Sequence, residues 1–367
     1  MKKALILGTN AGQADIIRYL KNEGWEVHAC GYKREGPGCD LAAQFHLVNT
    51  IDVDAVTELA KSIKPDIVYS VSSDSAIKSV TKVSERLNLP HYLNSEIIDL
   101  FDKQESLRSF LNSNNISRVD YTTIKDLDQT DRWSIFPCVV KPSDSQGQRG
   151  VVLIYDKADF ESAVANAIKW SNTQTAIIEE YLEGTEFSTH LVIQNYKIIV
   201  NEFTERYVHG VKYFGLPKGH GIPVRNITNE HLEQARTMVE KMVEKLNVKD
   251  AILYVQMVDT KNGPRIIEVA PRLDGCHIWR LLSISRGYDL RRYAIDGLLG
   301  TKIHHRPIDK GAYSLYFYQQ PFGTSFKLDD WKDMGQVEFQ EFRYNDGEEI
   351  VRINGRLEVV GYYVKKD

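Results

Sequence analysis

The sequence predicts a chain of α/β and α+β class with more than one domain: a doubly wound parallel α/β unit first, a β-rich centre, then a small, mostly β unit. Three observations carry this. Short β-branched runs alternate with helical stretches over the first ninety residues. A strand, a glycine-containing loop and a second strand follow one another between Pro137 and Tyr155. After about residue 302, short strands return between Gly, Asp and Asn turns. A length of 367 residues suggests two or three domains, and 42% hydrophobic residues supply apolar surface for proper cores.

In order, the first unit reads as strand Lys3–Gly8, helix Ala11–Glu23, strand Glu26–Gly31, helix Asp54–Lys64, strand Asp66–Val71 and helix Ser75–Leu87. Its first strand runs into Gly8-Thr9-Asn10-Ala11-Gly12. That turn lacks the GxGxxG spacing and a clear acidic ribose partner. It is either a phosphate cradle at a helix N-terminus or a tight turn facing a substrate cleft. A boundary is expected near residue 93. Beyond it comes a helix, Ser95–Asn112, stopped by Asn112-Ser113-Asn114-Asn115, and β-rich sequence from about Pro137. The last unit has strands at Gly311–Gln319, Gln336–Tyr344 and Leu357–Lys365.

Composition narrows the function. Lys plus Arg total 46 against 50 Asp plus Glu, a net charge of −4 without a basic run, so nucleic acid is not the expected partner. The apolar start stops at Gly8 with no cleavage-site pattern, and no stretch approaches the roughly 18 apolar residues of a membrane span. Cys30, Cys39, Cys138 and Cys276 are far apart, with no metal-ligand spacing, which fits reduced thiols in the cytoplasm. His304-His305 is assigned no metal.

Three segments carry chemistry. In Pro137–Val151 a strand delivers Lys141, and a small polar loop with Ser145, Gly147, Arg149 and Gly150 follows. Small residues let backbone N–H groups approach phosphate oxygens while Lys141 and Arg149 offset their charge. The alternative is an ordinary mobile surface turn. In the second segment an apolar strand ends in Glu179-Glu180-Tyr181-Leu182, whose backbone could meet an adenine edge, with Glu186 beyond Gly184 for ribose hydroxyls. The alternative is a strand with solvated glutamates. In the third, strands around Gln256 and Glu268 flank the turn Asp259–Arg265. A hairpin centred on Asn262 sets Gln256 directly opposite Glu268, both on one face, with Arg272 leaving the strand end beside them. An oxygen pair beside an arginine suits Mg²⁺ bound to phosphate. Alone, Glu268 reads equally as a salt-bridged structural residue.

In this order and spacing the three segments resemble the ATP-grasp superfamily, over essentially the whole chain. The resemblance implies a Rossmann-like domain at 1–93, an ATP-grasp domain at 94–302 with a nucleotide lid lobe at about 103–177 and a catalytic lobe at about 178–302, and a β-rich C-terminal subdomain at 303–367. It implies ATP as cofactor, with Mg²⁺, or Mn²⁺ in its place. Lys103 and Lys141 would reach the phosphates, Glu179 to Leu182 form the adenine hinge, and Glu186 hold the ribose. The family's Glu-x-Asn-x-Arg strand reads Glu268-Val269-Ala270-Pro271-Arg272 here, and Gln256 stands in place of the partner carboxylate, so a single tightly held Mg²⁺, or a pair delivered with the nucleotide, is expected.

Arg272 through Arg280 is similar to the Arg-Leu-Gly-Gly-Gly-His segment of the carboxylate-amine-ligase branch. That implies that Gly275, His277 and Arg280 meet the substrate, although His277 could equally be a packed, hydrogen-bonded residue. Tyr213–Gly221 has the composition of a loop that could close over the acceptor. The branch implies a small-molecule carboxylate and an amine, of amino-acid or amino-sugar type, joined through an acyl phosphate with Arg272, Lys141 and Arg149 offsetting charge. A homodimer is a family expectation. The competing readings are a bicarbonate-activating carboxylase and a nucleotide-binding regulatory module without turnover.

Overall fold

The computed structural model describes residues 1–145, 149–210, 213–331, 335–352 and 357–367. The chain begins with β1 (Lys3–Leu7), α1 (Ala11–Asn22), β2 (Glu26–Gly31), α2 (Gly38–Leu41), β3 (Gln44–Leu47), α3 (Val53–Ile63), β4 (Ile67–Tyr69) and α4 (Asp74–Leu87). The strands form a parallel sheet in the order β3-β2-β1-β4. Strand alternation explains the double winding. Ala4 and Ile6 pack with Ile16, Ile17 and Leu20 of α1, while Leu5 and Leu7 pack with Val56 and Ala60 of α3 and Val80 and Val83 of α4. The elements α2 and β3 were not expected from the sequence, since each is only four residues long.

The turn after β1 is closed as a phosphate cradle. Asn10 caps α1 by accepting from the N–H groups of Gly12 and Gln13. The segment before α2 lies on Thr9: its Oγ1 donates to Glu35 O at 2.7 Å, and Gly38 N donates to Thr9 O at 2.8 Å. A Cβ on Gly36 would stand 2.5 Å from that same Thr9 oxygen, so the approach needs glycine.

The single helix expected over Ser95–Asn112 is two, α5 (Ser95–Asp102) and α6 (Gln104–Ser113), broken at Lys103, whose φ and ψ of −104° and 122° are extended. A second sheet follows from β5 (Tyr121–Ile124), β6 (Cys138–Pro142), β7 (Val152–Ile154) and β8 (Ala176–Glu180), antiparallel in the order β5-β8-β6-β7. Helix α7 (Phe160–Trp170) covers one face, burying Phe160, Val164 and Ala167 against Val140 and Ile178.

The third sheet comprises β9 (Thr185–Gln194), β10 (Lys197–Val208), β11 (Pro217–Ile222), β12 (Ala251–Thr260), β13 (Gly263–Ala270), β14 (Tyr313–Pro321), β15 (Phe339–Phe342) and β16 (Leu357–Lys366). Its order is β13-β12-β9-β10-β11-β14-β16-β15. Helix α8 (Asn229–Leu246) lies between β11 and β12 in sequence, and α9 (Ile278–Arg286) and α10 (Leu290–Leu298) between β13 and β14. Leu253, Val255 and Met257 of β12 pack with Val239 and Met242 of α8; Tyr254 and Gln256, one residue out of step, turn to the opposite face.

Two expectations change. Half of the segment expected as a loop, Tyr213–Gly221, is strand β11, paired with both β10 and β14. The strands after residue 302 do not stand apart: they continue the central sheet through β11 and β14, and one core joins α1 to α9, α10 and β16. No described helix is long and apolar enough to cross a membrane, and the four cysteines are free.

Candidate active site

A cavity of about 710 Å³ lies between the second and third sheets. From β6 and β7 it takes Val139, Lys141 and Leu153, with Ser145 from the intervening loop; Glu179 through Leu182 follow at the end of β8. The facing sheet contributes Glu186, Arg206, Gln256, Ile267 and Glu268, and the segment after β13 adds Arg272, Asp274, Gly275 and Cys276. Residues 139 and 141 face this space because Cys138 and Val140, alternating with them, are buried in the core under α7.

Lys141 is held by charge. Its Nζ lies 2.9 Å from Glu179 Oε2 and donates to Gln104 Oε1 at 3.1 Å. Arg108, fully buried on α6, grips the same carboxylate through Nε at 2.7 Å and Nη2 at 3.0 Å. Burial works to raise the Glu179 pKa, but Arg108 and Lys141 overcome it and hold it at about 2. Burial, with Arg108 adding to it, pushes the Lys141 pKa down against the pull of Glu179.

Arg108 also fixes the strand that carries Glu268. The hairpin pairs Thr260 with Gly263 and Met257 with Ile266, one residue short of the register expected from a centre at Asn262. A bulge at Ile267 restores that register, so Gln256 does lie opposite Glu268. Arg108 Nη1 and Nη2 donate to the carbonyls of Ile266 and Ile267 beside the bulge.

Glu268 is left with a cost. Burial, and then the nearby Asp74 carboxylate, push its pKa up. Gln256 donates its amide N–H to Glu186 Oε2 at 2.9 Å, leaving its carbonyl oxygen without a donor among the described residues. A buried carboxylate beside an amide oxygen fits a hard cation that takes its remaining oxygens from water and phosphate. Among the described residues there is no group of three or more His, Cys, Asp or Glu placed to hold a metal without such help.

Arg272 forms a bidentate pair with Asp74 at the start of α4, at 2.6 and 2.9 Å. Asp274, next along, sits 3.1 Å from His190 Nε2; burial raises its pKa, and the His190 contact overrides that and holds it at about 2. Arg206 is buried; among the described residues its Nε and Nη1 have no hydrogen-bond partner, though Nη1 is 3.6 Å from Glu186. Cross-strand pairing places it opposite His220. His220 is wholly buried, neither ring nitrogen is bonded among the described residues, and burial together with Arg206 pushes its pKa down to about 3.

The structure thus brings Lys141, Ser145, Glu179, Glu180, Tyr181, Leu182, Glu186, Gln256, Glu268, Arg272 and Gly275 to one cavity. It leaves others outside its wall. Lys103 is exposed at the break between α5 and α6, and its neighbour Gln104 occupies the wall instead. Arg149 is exposed, Gly150 packs against Pro142 and Trp170, and Gly147 lies outside the described residues. His277 is buried against Asp15, 2.8 Å away, and stacked on Tyr362; Arg280 lies between the rings of Trp279 and Phe339. His277 faces the first domain and, with φ of 57°, starts the turn of the chain into α9.

Residues 134–279 match the family model of the ATP-grasp domain. Phosphoribosylamine–glycine ligase of Methanocaldococcus jannaschii is 26% identical over 317 residues, 77% of this chain and 70% of that one. The carbamoyl phosphate synthase large chain of Clostridium acetobutylicum is 21% identical over 322 residues, 82% of this chain but only 30% of that one. Among solved structures, an L-amino acid ligase from Bacillus licheniformis superposes with a TM-score of 0.84 at 19% identity, covering 100% of this chain and 93% of the other. The chain therefore carries an ATP-grasp domain at residues 134–279, within a fold that it shares along its whole length with an L-amino acid ligase.

Proposed function

We propose that this chain is an ATP-dependent ligase that activates a substrate carboxylate as an acyl phosphate and condenses it with an amine. The observation that carries this reading is the gathering of Lys141, the Glu180–Leu182 hinge, Glu268 and Arg272 around one cavity. The nucleobase lies at the hinge. Tyr181 N donates to Pro137 O, so the Leu182 N–H, which has no protein acceptor among the described residues, is the hinge donor left for it. Glu186 takes the ribose, and Lys141 and Arg206 offset phosphate charge. ATP and Mg²⁺ come to this chain through the ATP-grasp resemblance. Glu268 would hold one Mg²⁺ with the Gln256 oxygen beside it, and the bound ion supplies charge neutralisation of the phosphates.

The substrate carboxylate oxygen attacks the γ-phosphorus, the bond to the β-phosphate oxygen breaks, and ADP leaves with that electron pair. The amine nitrogen then attacks the acyl carbon; phosphate departs with the C–O electrons and the nitrogen loses a proton. Side chains here align the groups and offset charge rather than form bonds. Arg272, fixed by Asp74, is aimed at the transferring phosphoryl group and the developing oxyanion.

The test is ADP release over a panel of carboxylic acids, with hydroxylamine as a general amine that traps an acyl phosphate as a hydroxamate. Acid-dependent ADP and hydroxamate in equal amounts are expected. Arg272→Lys, which cannot make the bidentate pair, should lower that rate on the order of a hundredfold with the fold intact by circular dichroism. Bicarbonate-dependent ADP release without hydroxamate would instead indicate a carboxylase. Nucleotide binding with no acid-dependent ADP at all would overturn the enzyme reading.

A further inference from the structure

The cavity continues beyond Arg272. Past Cys276 its wall is completed by Arg343, the residue that follows β15, with Val359 of β16 and Phe317 of β14. Arg343 is exposed, yet the protein packed around it pushes its pKa down, as befits a cation that looks into a cavity rather than out to bulk water.

Its guanidinium is aimed by a chain of contacts from the first domain. Nη2 lies 2.9 Å from His277 Nε2, and Nη1 reaches the Val359 carbonyl at 3.4 Å. A guanidinium can only donate, so His277 Nε2 accepts, and Nδ1 carries the proton donated to Asp15 Oδ2 at 2.8 Å. The same Asp15 oxygen accepts from Trp279 Nε1 at 3.1 Å. His277 keeps its left-handed backbone because its ring is stacked on Tyr362, centroids 4.2 Å apart, and bonded at both nitrogens.

The acids near Arg343 are engaged elsewhere: Asp15 with His277, and Glu341 with Arg18 at 3.1 Å, while Glu358, on the same wall, is fully buried with a contact of its own. Among the described residues none is within ion-pair distance of Arg343 itself. Nor does Arg343 belong to the phosphate end. After burial, the groups that act on Glu268 are Asp74, Arg272, Lys141 and Arg206, whereas those that act on Arg343 are Tyr362, Asp15, Glu341 and Cys276. Arg272, Cys276 and Arg343 line the same cavity, so one ligand lying over Cys276 can meet both guanidinium groups.

A rigidly held guanidinium with no anion of its own is complementary to one carried by a ligand. We propose that Arg343 docks a second carboxylate of the acid substrate, which is therefore a short dicarboxylate activated at one end and held at the other, with His277 and Asp15 as the residues that position Arg343. This rests on the ligase reading above.

The experiment uses pairs that differ in one charge and little in shape: aspartate with asparagine, glutamate with glutamine, succinate with succinamate. Each is assayed for ADP and hydroxamate with the full-length protein and Mg·ATP. The wild-type protein should favour the diacid of at least one pair by about 10- to 100-fold in kcat/KM. Arg343→Ala should bring that ratio close to one by raising KM for the diacid, and Arg343→Lys should retain part of it. His277→Phe keeps the stack on Tyr362 but loses both hydrogen bonds, and should lower the ratio; His277→Gln should recover part of it. A purely structural role would lower turnover of both members of a pair in step and leave the ratio unchanged. A wild-type protein indifferent to the second charge, or an Arg343→Ala protein that keeps the preference, overturns the inference alone. Absence of ADP release with every acid overturns the ligase reading, and the inference with it.

Discussion

Ionised Glu268 is disfavoured where it stands, and the sign of that effect is testable. A carboxyl whose folded pKa is raised binds its proton more tightly in the native state, so native stability is lost as pH rises from the ordinary value through the raised one. The penalty grows as pH rises through that interval. Glu268→Gln, which removes the charge and keeps the shape, should therefore raise the melting temperature at pH 7 while abolishing acid-dependent ADP release; a lower melting temperature would refute this account of its surroundings. The positions of Glu268 and Lys141 on the cavity wall were legible because each sits in a short motif on a strand whose alternation fixes where it faces, and that of Arg272 because it leaves the end of such a strand. Arg206, Asp74, Arg108 and Arg343 were not. Arg206 acquires meaning only from its cross-strand partner His220 and the nearby Glu186 carboxylate, and Asp74 meets Arg272 across 198 residues. Lys103 stands exposed outside the cavity wall because a helix break, invisible in an apolar periodicity that runs through it, falls at that residue.

Two elements set the nucleotide end. The β12–β13 hairpin was readable in its pairing and misread in its path: the expected register is reached through a bulge at Ile267, which alternation alone does not reveal. The turn from β8 into β9 is equally constrained. A Cβ on Gly184 would stand 1.9 Å from the carbonyl oxygen of Asp259, so the hinge lies flush against the end of β12. Gly184→Ala should force that turn outward, costing about 1–3 kcal/mol of stability. It should also raise the dissociation constant for Mg·ATP, measured by titration calorimetry. An unchanged affinity would separate the hinge from nucleotide binding.

At the scale of the molecule, the N-terminal α/β order was read nearly element by element because strong periodicity fills it. The continuity of the central sheet was missed, since pairing between β11 and β14 joins segments about a hundred residues apart in sequence. Buried carboxylates held in their ionised form tie the assembly together. Glu179 and Asp274 have pKa values of about 2, below their ordinary 4.5 and 3.8. Their contribution is complete above those ordinary values and is lost as pH falls towards 2. Denaturant midpoints should therefore decline between about pH 4.5 and 2. Arg108→Met, which leaves Glu179 with Lys141 alone, should cost about 3–5 kcal/mol at pH 7 and flatten that decline; a decline as steep as the wild type's would clear Glu179 of responsibility for it.

The β11–β14 junction also bears on synthesis. Until β14 has left the ribosome, β11 is the last strand of its sheet and shows an unpaired ladder of N–H and C=O groups to the crowded surroundings. A nascent or prematurely terminated chain that stops short of Tyr313 would therefore be sticky along that rim. The protein's solubility during expression depends on strands that arrive only in its final sixth.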